Sequence, residues 1–132
     1  MRYGIDAATL LLIASGDVVV DAGNSLVAPH RVLPDLLQLL LAEVRSGSRE
    51  EKDALAIHTR ATETKIRLLG DRVSRRTAWN LAREHGWSEL RDAEYLAVTM
   101  LQADALATAD RRLMQAAATI VPVVPPAALS AS

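Results

Sequence analysis

Residues Ser88 to Leu113 read SELRDAEYLAVTMLQADALATADRRL, and this stretch combines a helix, a short strand and the start of a second helix. Apolar residues recur at helical spacing after Asp92, which predicts that this acid lies in the first turn of a buried helix, near its positive end. Ala105–Thr108 is predicted to be a short buried strand, and Asp110 follows it where the next helix, 111–117, begins. In α/β proteins, an acid at the carboxyl end of a strand points into the crevice where such folds bind ligands.

The chain has the length and composition of one globular domain. It has 132 residues, half of them apolar and 23% charged, which is sufficient for a single core. A net charge of -1 gives no global attraction to nucleic acid, so any RNA contact requires a local basic patch. The lack of cysteine excludes disulfides, thiolate metal sites and cysteine nucleophiles. Without a signal-peptide pattern or a run long enough to span a membrane, we expect a soluble, cytoplasmic protein with no membrane contact.

A second strand-end acid occurs near the start of the chain. Arg2–Ile5 is predicted to be a strand, Asp6 follows it directly, and residues 7–14 are predicted to form a helix that Gly16 ends. Asp6 alone is explained as a helix N-cap. Asp21, after the predicted strand 18–20, is the second choice for the first acid, although the sequence DAGN makes it a turn former.

The middle of the chain is predicted to be mainly helical. Pro34 suits the first turn of a long apolar helix over residues 33–45, whose first-turn acid is Asp35. Residues 49–69 have helical periodicity up to Gly70, with Leu55 and Ile57 among the positions expected to face inward.

The remaining segments are a further helix, a last strand and a tail. Residues 72–86 are predicted to form a helix capped by Ser74 and ended by Gly86. Trp79 is expected in the core or at its rim rather than as a base-stacking platform, since aromatic residues are scarce. Residues 120–124 are predicted to be the final strand, and 125–132 a flexible C-terminal tail after the domain, which spans residues 1–124.

Strands at 3–5, 26–28, 105–108 and 120–124, separated by helices, predict an α/β fold with a mostly parallel sheet. Asp6 and Asp110 then leave neighbouring strands at one edge, where the helices of Asp35 and Asp92 can also start. Carboxylates gathered in one crevice repel one another unless cations neutralise them. Magnesium prefers oxygen ligands, and paired ions can promote phosphodiester hydrolysis without a histidine, cysteine or serine.

The sequence resembles PIN-domain nucleases, in particular the VapC-type toxins. The resemblance spans nearly the whole chain and is weakest over residues 49–70. It matches at Asp6, Thr9, Pro29, Asp35, Gly47, Asp92, Thr108 and Asp110. Asp35 stands where the family usually has Glu, which shortens the reach by one methylene, and Glu43 does not align.

The resemblance implies a three-layer α/β/α PIN-like domain with Mg²⁺- or Mn²⁺-dependent endoribonuclease activity. It implies that Asp6, Asp35, Asp92 and Asp110 are the metal-binding, catalytic acids, assisted by Thr9 and Thr108. The implied partners are an RNA substrate, a cognate VapB-like antitoxin and a second copy of the chain in a homodimer.

Glu94 faces away from Asp92 on an ideal helix and stays a possible supporting residue. The candidates for RNA contact are arginines, namely Arg72, Arg75, Arg76, Arg111 and Arg112.

Other functional classes remain open. A dehalogenase-type phosphatase needs a second acid two residues after Asp6, where this chain has Ala8. A receiver-like module that binds one magnesium without catalysis is also compatible with the acids. The better non-enzymatic alternative is a degenerate PIN-like domain that only binds a partner, because Asp35 departs from the family pattern.

Overall fold

A computed structural model of the protein describes residues 1–131. Within that range the chain forms six α-helices, five strands and one C-terminal 3-10 helix. The elements are β1 Arg2–Ile5, α1 Ala7–Ala14, β2 Ser25–Pro29, α2 Val32–Ser46, α3 Glu51–Glu63, β3 Arg67–Leu69, α4 Arg72–His85, α5 Arg91–Gln102, β4 Ala105–Ala107, α6 Arg111–Ala117, β5 Val123–Val124 and the 3-10 helix Pro126–Ser130.

The strands form one sheet in the order β3-β2-β1-β4-β5, and each pairing in it is parallel. Right-handed crossovers place α1, α2 and α3 on one face of the sheet and α4, α5 and α6 on the other. The packing agrees, because α1, α2 and α3 contact one another while α5 packs on β1, β2 and β4. The predicted α/β fold is confirmed and is consistent with three α/β/α layers.

The central strands are buried on both faces, as a sheet covered by two helical layers requires. Ile5, Val27 and Leu106 are almost fully buried. Gly4 allows a close helix approach, since a Cβ atom there would lie 2.1 Å from the Thr99 Oγ1 atom of α5. This contact brings α5 down onto β1 and thereby sets the position of its first turn.

One predicted helix is instead a helix followed by a strand. Residues 49–69 form α3 and β3, because the chain becomes extended at Thr64 and residues 67–69 pair with β2. A strand of three residues is too short to show its own periodicity, so the sequence pattern did not reveal it. Leu55, expected to face inward, is exposed, whereas Ile57 is buried as predicted.

The predicted strand over residues 18–20 is also wrong. These residues form a loop, and Asp21 makes the turn that follows it, accepting a hydrogen bond of 2.9 Å from the Gly23 amide. The Ser25 amide donates a hydrogen bond to the Met1 carbonyl at the amino ends of the strands, whereas Asp6 lies at their carboxyl ends. Asp21 is therefore excluded as the first acid of a site that contains Asp110.

The C-terminal segment is packed where the sequence predicts a flexible tail. Residues 126–130 form the 3-10 helix, and Leu129 is fully buried. The Leu129 carbonyl accepts a hydrogen bond from the Asp21 amide, and the Ser130 hydroxyl donates one to the Val19 carbonyl. A single buried leucine with these long-range bonds outweighs the local signals of two prolines and small residues. Ser132, at the end of that predicted tail, lies outside the described residues.

Two further boundaries differ from prediction. The final strand is β5, 123–124, because Ile120 closes a turn against Ala117. Asp71 caps α4, accepting a hydrogen bond of 2.9 Å from the Ser74 amide, so Ser74 lies inside the helix instead of capping it. No helix within residues 1–131 has the length and apolar character needed to cross a membrane.

Candidate active site

The site begins with the acid that follows the central strand. Asp6 ends β1 and caps α1, with Oδ1 accepting a hydrogen bond of 2.9 Å from the Thr9 amide. Its Oδ2 atom accepts a bond of 2.6 Å from the Thr108 hydroxyl. Asp6 is only 5% exposed, so both oxygens are held in fixed positions. The N-cap interpretation is confirmed, and the contact with Thr108 adds a long-range link that a cap alone does not require.

Thr108 connects the first strand-end acid to the last. It follows β4, the neighbour of β1, and its hydroxyl oxygen accepts a hydrogen bond of 3.0 Å from the Asp110 amide while donating to Asp6. Asp110 caps α6 through bonds from the Arg112 and Leu113 amides. The structure thus brings Asp6 and Asp110 to one edge of the sheet, as predicted from the strand order.

Asp92 joins this edge through an arginine. It lies in the first turn of α5, and its carboxylate is 3.0 Å from Nη1 of Arg112, whose Nη2 lies 3.9 Å from Asp110. Burial raises the pKa of Asp92, and the negative charge of Asp110 adds to the increase, while Arg112 opposes it. A nearby cation stabilises the ionised form of a buried carboxylate more than that of an exposed one.

Asp35 lies in the first turn of α2 and has a separate set of partners. Its Oδ2 accepts hydrogen bonds from the Tyr95 hydroxyl at 2.7 Å and from Arg31 Nε at 3.2 Å. Arg91 lies 3.6 Å from the other oxygen. Arg31 also pairs with Glu94, so the predicted supporting acid reaches Asp35 through a shared arginine.

Tyr95 links Asp35 to α5. Burial, the hydrogen bond to Asp35, and the charges of Asp35 and Asp6 all raise the pKa of its phenol. Tyr95 therefore stays protonated and donates to Asp35 over the whole ordinary pH range. We call the four acids Asp6, Asp35, Asp92 and Asp110 the carboxylate edge.

Three arginines neutralise most of this edge. Arg31, Arg91 and Arg112 pair with three of its acids, and the pKa of Arg31, lowered by its burial, is raised on balance by Glu94 and Asp35. Arg31 and Asp35 are four positions apart, a spacing that indicates their pairing on a helix. No local pattern indicates that Arg112 faces Asp92, twenty positions earlier. Arg112 was predicted as an RNA contact, and in the structure it bridges two acids.

The assisting roles of the two threonines also differ. Thr108 holds two of the acids in place, whereas the Thr9 hydroxyl donates to the Ala107 carbonyl at 2.9 Å and so ties α1 to β4. Of these two bonds, the one that reaches Asp6 comes from the Thr9 backbone amide and not from its hydroxyl.

The donor chemistry suits a hard divalent cation. Within residues 1–131, no group of three or more His, Cys, Asp or Glu side chains lies close enough together to hold a metal ion. Mg²⁺ does not require such a group, because it is commonly held by one or two carboxylates and completes its shell with water and substrate phosphate. Asp92 and Asp110, which share Arg112, are two carboxylates of the kind that Mg²⁺ uses as ligands.

Comparison with known proteins found no family model and no curated protein that matches this chain. The resemblance to PIN domains therefore rests on the residues quoted above.

Proposed function

We propose that the protein is a metal-dependent endoribonuclease, the toxin of a toxin–antitoxin pair, whose carboxylate edge binds Mg²⁺ or Mn²⁺. The observation that supports this proposal is that four acids from separate parts of the chain lie at one edge of the sheet. Two of them, Asp6 and Asp110, are joined by the Thr108 hydroxyl. Helix capping explains Asp6 and Asp110 singly. It does not explain Asp35 and Asp92, which lie in the first turns of their helices without capping them.

The residues have distinct roles in this proposal. Asp6, Asp35, Asp92 and Asp110 would hold the metal. A bound divalent cation would supply positive charge at the scissile phosphate and a more acidic attacking water. Thr108 orients Asp6, and Tyr95 orients Asp35. Arg112 can pass one of its hydrogen bonds from a carboxylate to a phosphate oxygen, an acceptor that guanidinium groups bind well.

The test is the Asp6→Asn variant, which keeps a good N-cap while removing a charge. Purified protein is incubated with single-stranded RNA in Mg²⁺, in Mn²⁺ or in EDTA, and the new RNA ends are mapped. Cleavage by the wild type is expected to require the metal and to fall at least about 100-fold in Asp6→Asn, since metal charge stabilisation is worth several kcal/mol.

The matched control is Asp53→Asn, which removes the same charge from an exposed position on α3. It should cleave as the wild type does, and expression of both it and the wild type should arrest growth. Circular dichroism checks that Asp6→Asn is folded. Cleavage by folded Asp6→Asn at the wild-type rate would contradict the proposal.

The proposed partners follow from the same resemblance. A cognate VapB-like antitoxin would hold the enzyme inactive, and the toxin would act in the cytoplasm. The chain would form a homodimer through α2 and α3. Exposed leucines on these helices, Leu37, Leu41 and Leu55, support a protein interface there.

A second candidate is a degenerate PIN-like module that binds a partner without catalysis. The ion pairs favour it, because Arg31, Arg91 and Arg112 already neutralise three of the four acids. Its expected result is a folded protein that cleaves no RNA in either metal, with growth unaffected by expression.

A further inference from the structure

We infer that the first two turns of α4 form a binding surface for single-stranded RNA, with phosphates held by Arg72, Arg75 and Arg76 and a base stacked on Trp79. We call these four residues the α4 patch. The inference deepens the proposed nuclease function, on which its biological role rests, by assigning the path of the substrate strand. Its binding chemistry can be measured separately.

The spacing places the patch on one helix face. Positions 72, 75, 76 and 79 are separated by three or four residues and therefore lie side by side on an α-helix. The four side chains line one open cavity of about 500 Å³. The sequence predicts Trp79 in the core or at its rim. Because its side chain is 54% exposed, it does not lie in the core. A large aromatic face is left in solvent among three positive charges.

The arginines of the patch differ from those of the candidate active site. Arg31, Arg91 and Arg112 are joined to carboxylates, whereas no ion pair in residues 1–131 contains Arg72, Arg75 or Arg76. Arg72 lies at the positive end of α4, where a cation is unfavourable for the helix dipole. Three guanidinium groups on one helix face also repel one another, and an external anion would relieve that repulsion.

The composition of the patch selects the kind of anion. Single-stranded nucleic acid presents phosphates together with unpaired base faces, and proteins bind it with positive grooves and exposed aromatic platforms. A double helix hides its base faces, so it would leave Trp79 without a partner. Arginine also binds phosphate in a bidentate manner, which adds geometric selectivity to the attraction.

The patch continues toward the carboxylate edge. Arg75 also lines a second cavity, of about 330 Å³, whose wall includes Arg31 and Glu94. Arg31 in turn contacts Asp35. A strand whose base stacks on Trp79 can therefore pass Arg75 and Arg31 and reach the candidate metal-binding acids, with Glu94 as an acidic residue beside that path.

The experiment measures binding without cleavage. A fluorescently labelled 12-nucleotide RNA of mixed sequence is titrated with the full chain in EDTA, and anisotropy gives Kd over a range of salt concentrations. The variants are Trp79→Leu and the triple change Arg72→Gln, Arg75→Gln, Arg76→Gln. Arg45→Gln is the matched control, because it removes an exposed arginine from the far end of α2.

Trp79→Leu is expected to weaken binding by roughly tenfold or more, the effect of losing one stacked base. The triple variant should reduce the slope of log Kd against log salt by about 2, since each lost phosphate contact on a single strand contributes about 0.7. Arg45→Gln should bind as the wild type. Single-stranded DNA of the same sequence distinguishes recognition of the shared phosphate and base chemistry from recognition of ribose.

Two results would overturn the inference. One is equal affinity for wild type, both patch variants and the control. The other is weakening by the arginine changes with no effect of Trp79→Leu, because that is charge attraction without a stacked base. Because all binding is measured in EDTA, these results can be interpreted even if the protein proves not to be a nuclease. Thermal unfolding confirms that each variant is folded.

Discussion

A single hydroxyl group determines how two candidate acids are held. Thr108 is almost fully buried, and its oxygen donates to Asp6 while accepting from the Asp110 amide. Loss of that oxygen would leave a buried carboxylate oxygen and an amide without this partner. Removing one partner of a buried hydrogen bond costs more than the bond itself contributes, and more again when the other partner is charged.

The prediction at this scale is that Thr108→Val lowers the free energy of unfolding by about 1–3 kcal/mol. It should also reduce RNA cleavage, because Asp6 loses its orientation. Urea denaturation at pH 7 measures the stability.

Thr99→Val is the matched control for that change. Thr99 is equally buried, but its hydroxyl bonds only the Tyr95 carbonyl one turn back in α5, and that carbonyl is also an acceptor for the helix. Thr99→Val should therefore be close to neutral. Equal losses in the two variants would show that Thr108 has no special role at the carboxylate edge.

At the scale of elements, α4 carries its arginines on a well-capped helix. Asp71 accepts hydrogen bonds from the Ser74 amide, while the Ser74 hydroxyl bonds back to the Asp71 carbonyl. The amide and hydroxyl of Ser74 lower the pKa of Asp71 below its ordinary value of 3.8. Gly86 ends the helix in the left-handed conformation that glycine adopts readily.

The prediction for this element is a pH-dependent cap. Because the folded pKa of Asp71 is lowered, its stabilisation is fully present above the unfolded pKa and is lost as the pH falls through the folded pKa. The stability difference between wild type and Asp71→Ala should therefore be constant at pH 5–7 and shrink below about pH 4.

Urea denaturation from pH 3 to pH 7 measures that difference. Asp71→Asn, which keeps an acceptor oxygen at every pH, should remain close to the wild type. A difference between wild type and Asp71→Ala that stays unchanged in acid would contradict the assigned role of the carboxylate.

At the scale of the whole molecule, the two helical layers present different surfaces. The layer of α1, α2 and α3 exposes Leu37 and Leu41 one turn apart on α2, and Leu55 on α3. The opposite layer contains the α4 patch. If the outer leucines form the proposed homodimer, the two copies of the α4 patch face away from each other and stay accessible.

We predict that the wild type sediments as a dimer and that Leu41→Gln weakens dimerisation. Leu41 is 53% exposed in the single chain, so the change should not destabilise the fold. Loss of a central apolar contact is worth about 2 kcal/mol, or roughly 30-fold in the dimer dissociation constant. Sedimentation velocity over a range of concentrations measures this constant.

Leu101→Gln, at the exposed end of α5, is the control and should dimerise normally. A wild-type protein that remains monomeric at all concentrations would exclude the homodimer. A Leu41→Gln variant that dimerises as tightly as the wild type would exclude this face as the interface.

The parts of the fold that were predictable from the sequence are those with local signals. β1 and α1 match their predicted bounds, and Asp6 and Asp110 lie at neighbouring strand ends, as the sequence predicts. Strand-forming runs, capping acids and terminating glycines act over a few residues, so they can be read without knowing what the chain packs against.

Other features depend on contacts between distant parts of the chain. β3 exists because β2 offers it a partner, and the last 3-10 helix is held by Leu129 in the core and by bonds to the Asp21 loop. The contacts of Arg91 and Tyr95 with Asp35, and of Arg112 with Asp92, are likewise decided across 20 to 60 positions. Local propensity determined which acids begin helices after strands. Only tertiary packing decided which distant charges meet, because complementary groups far apart in sequence become neighbours only after the layers assemble.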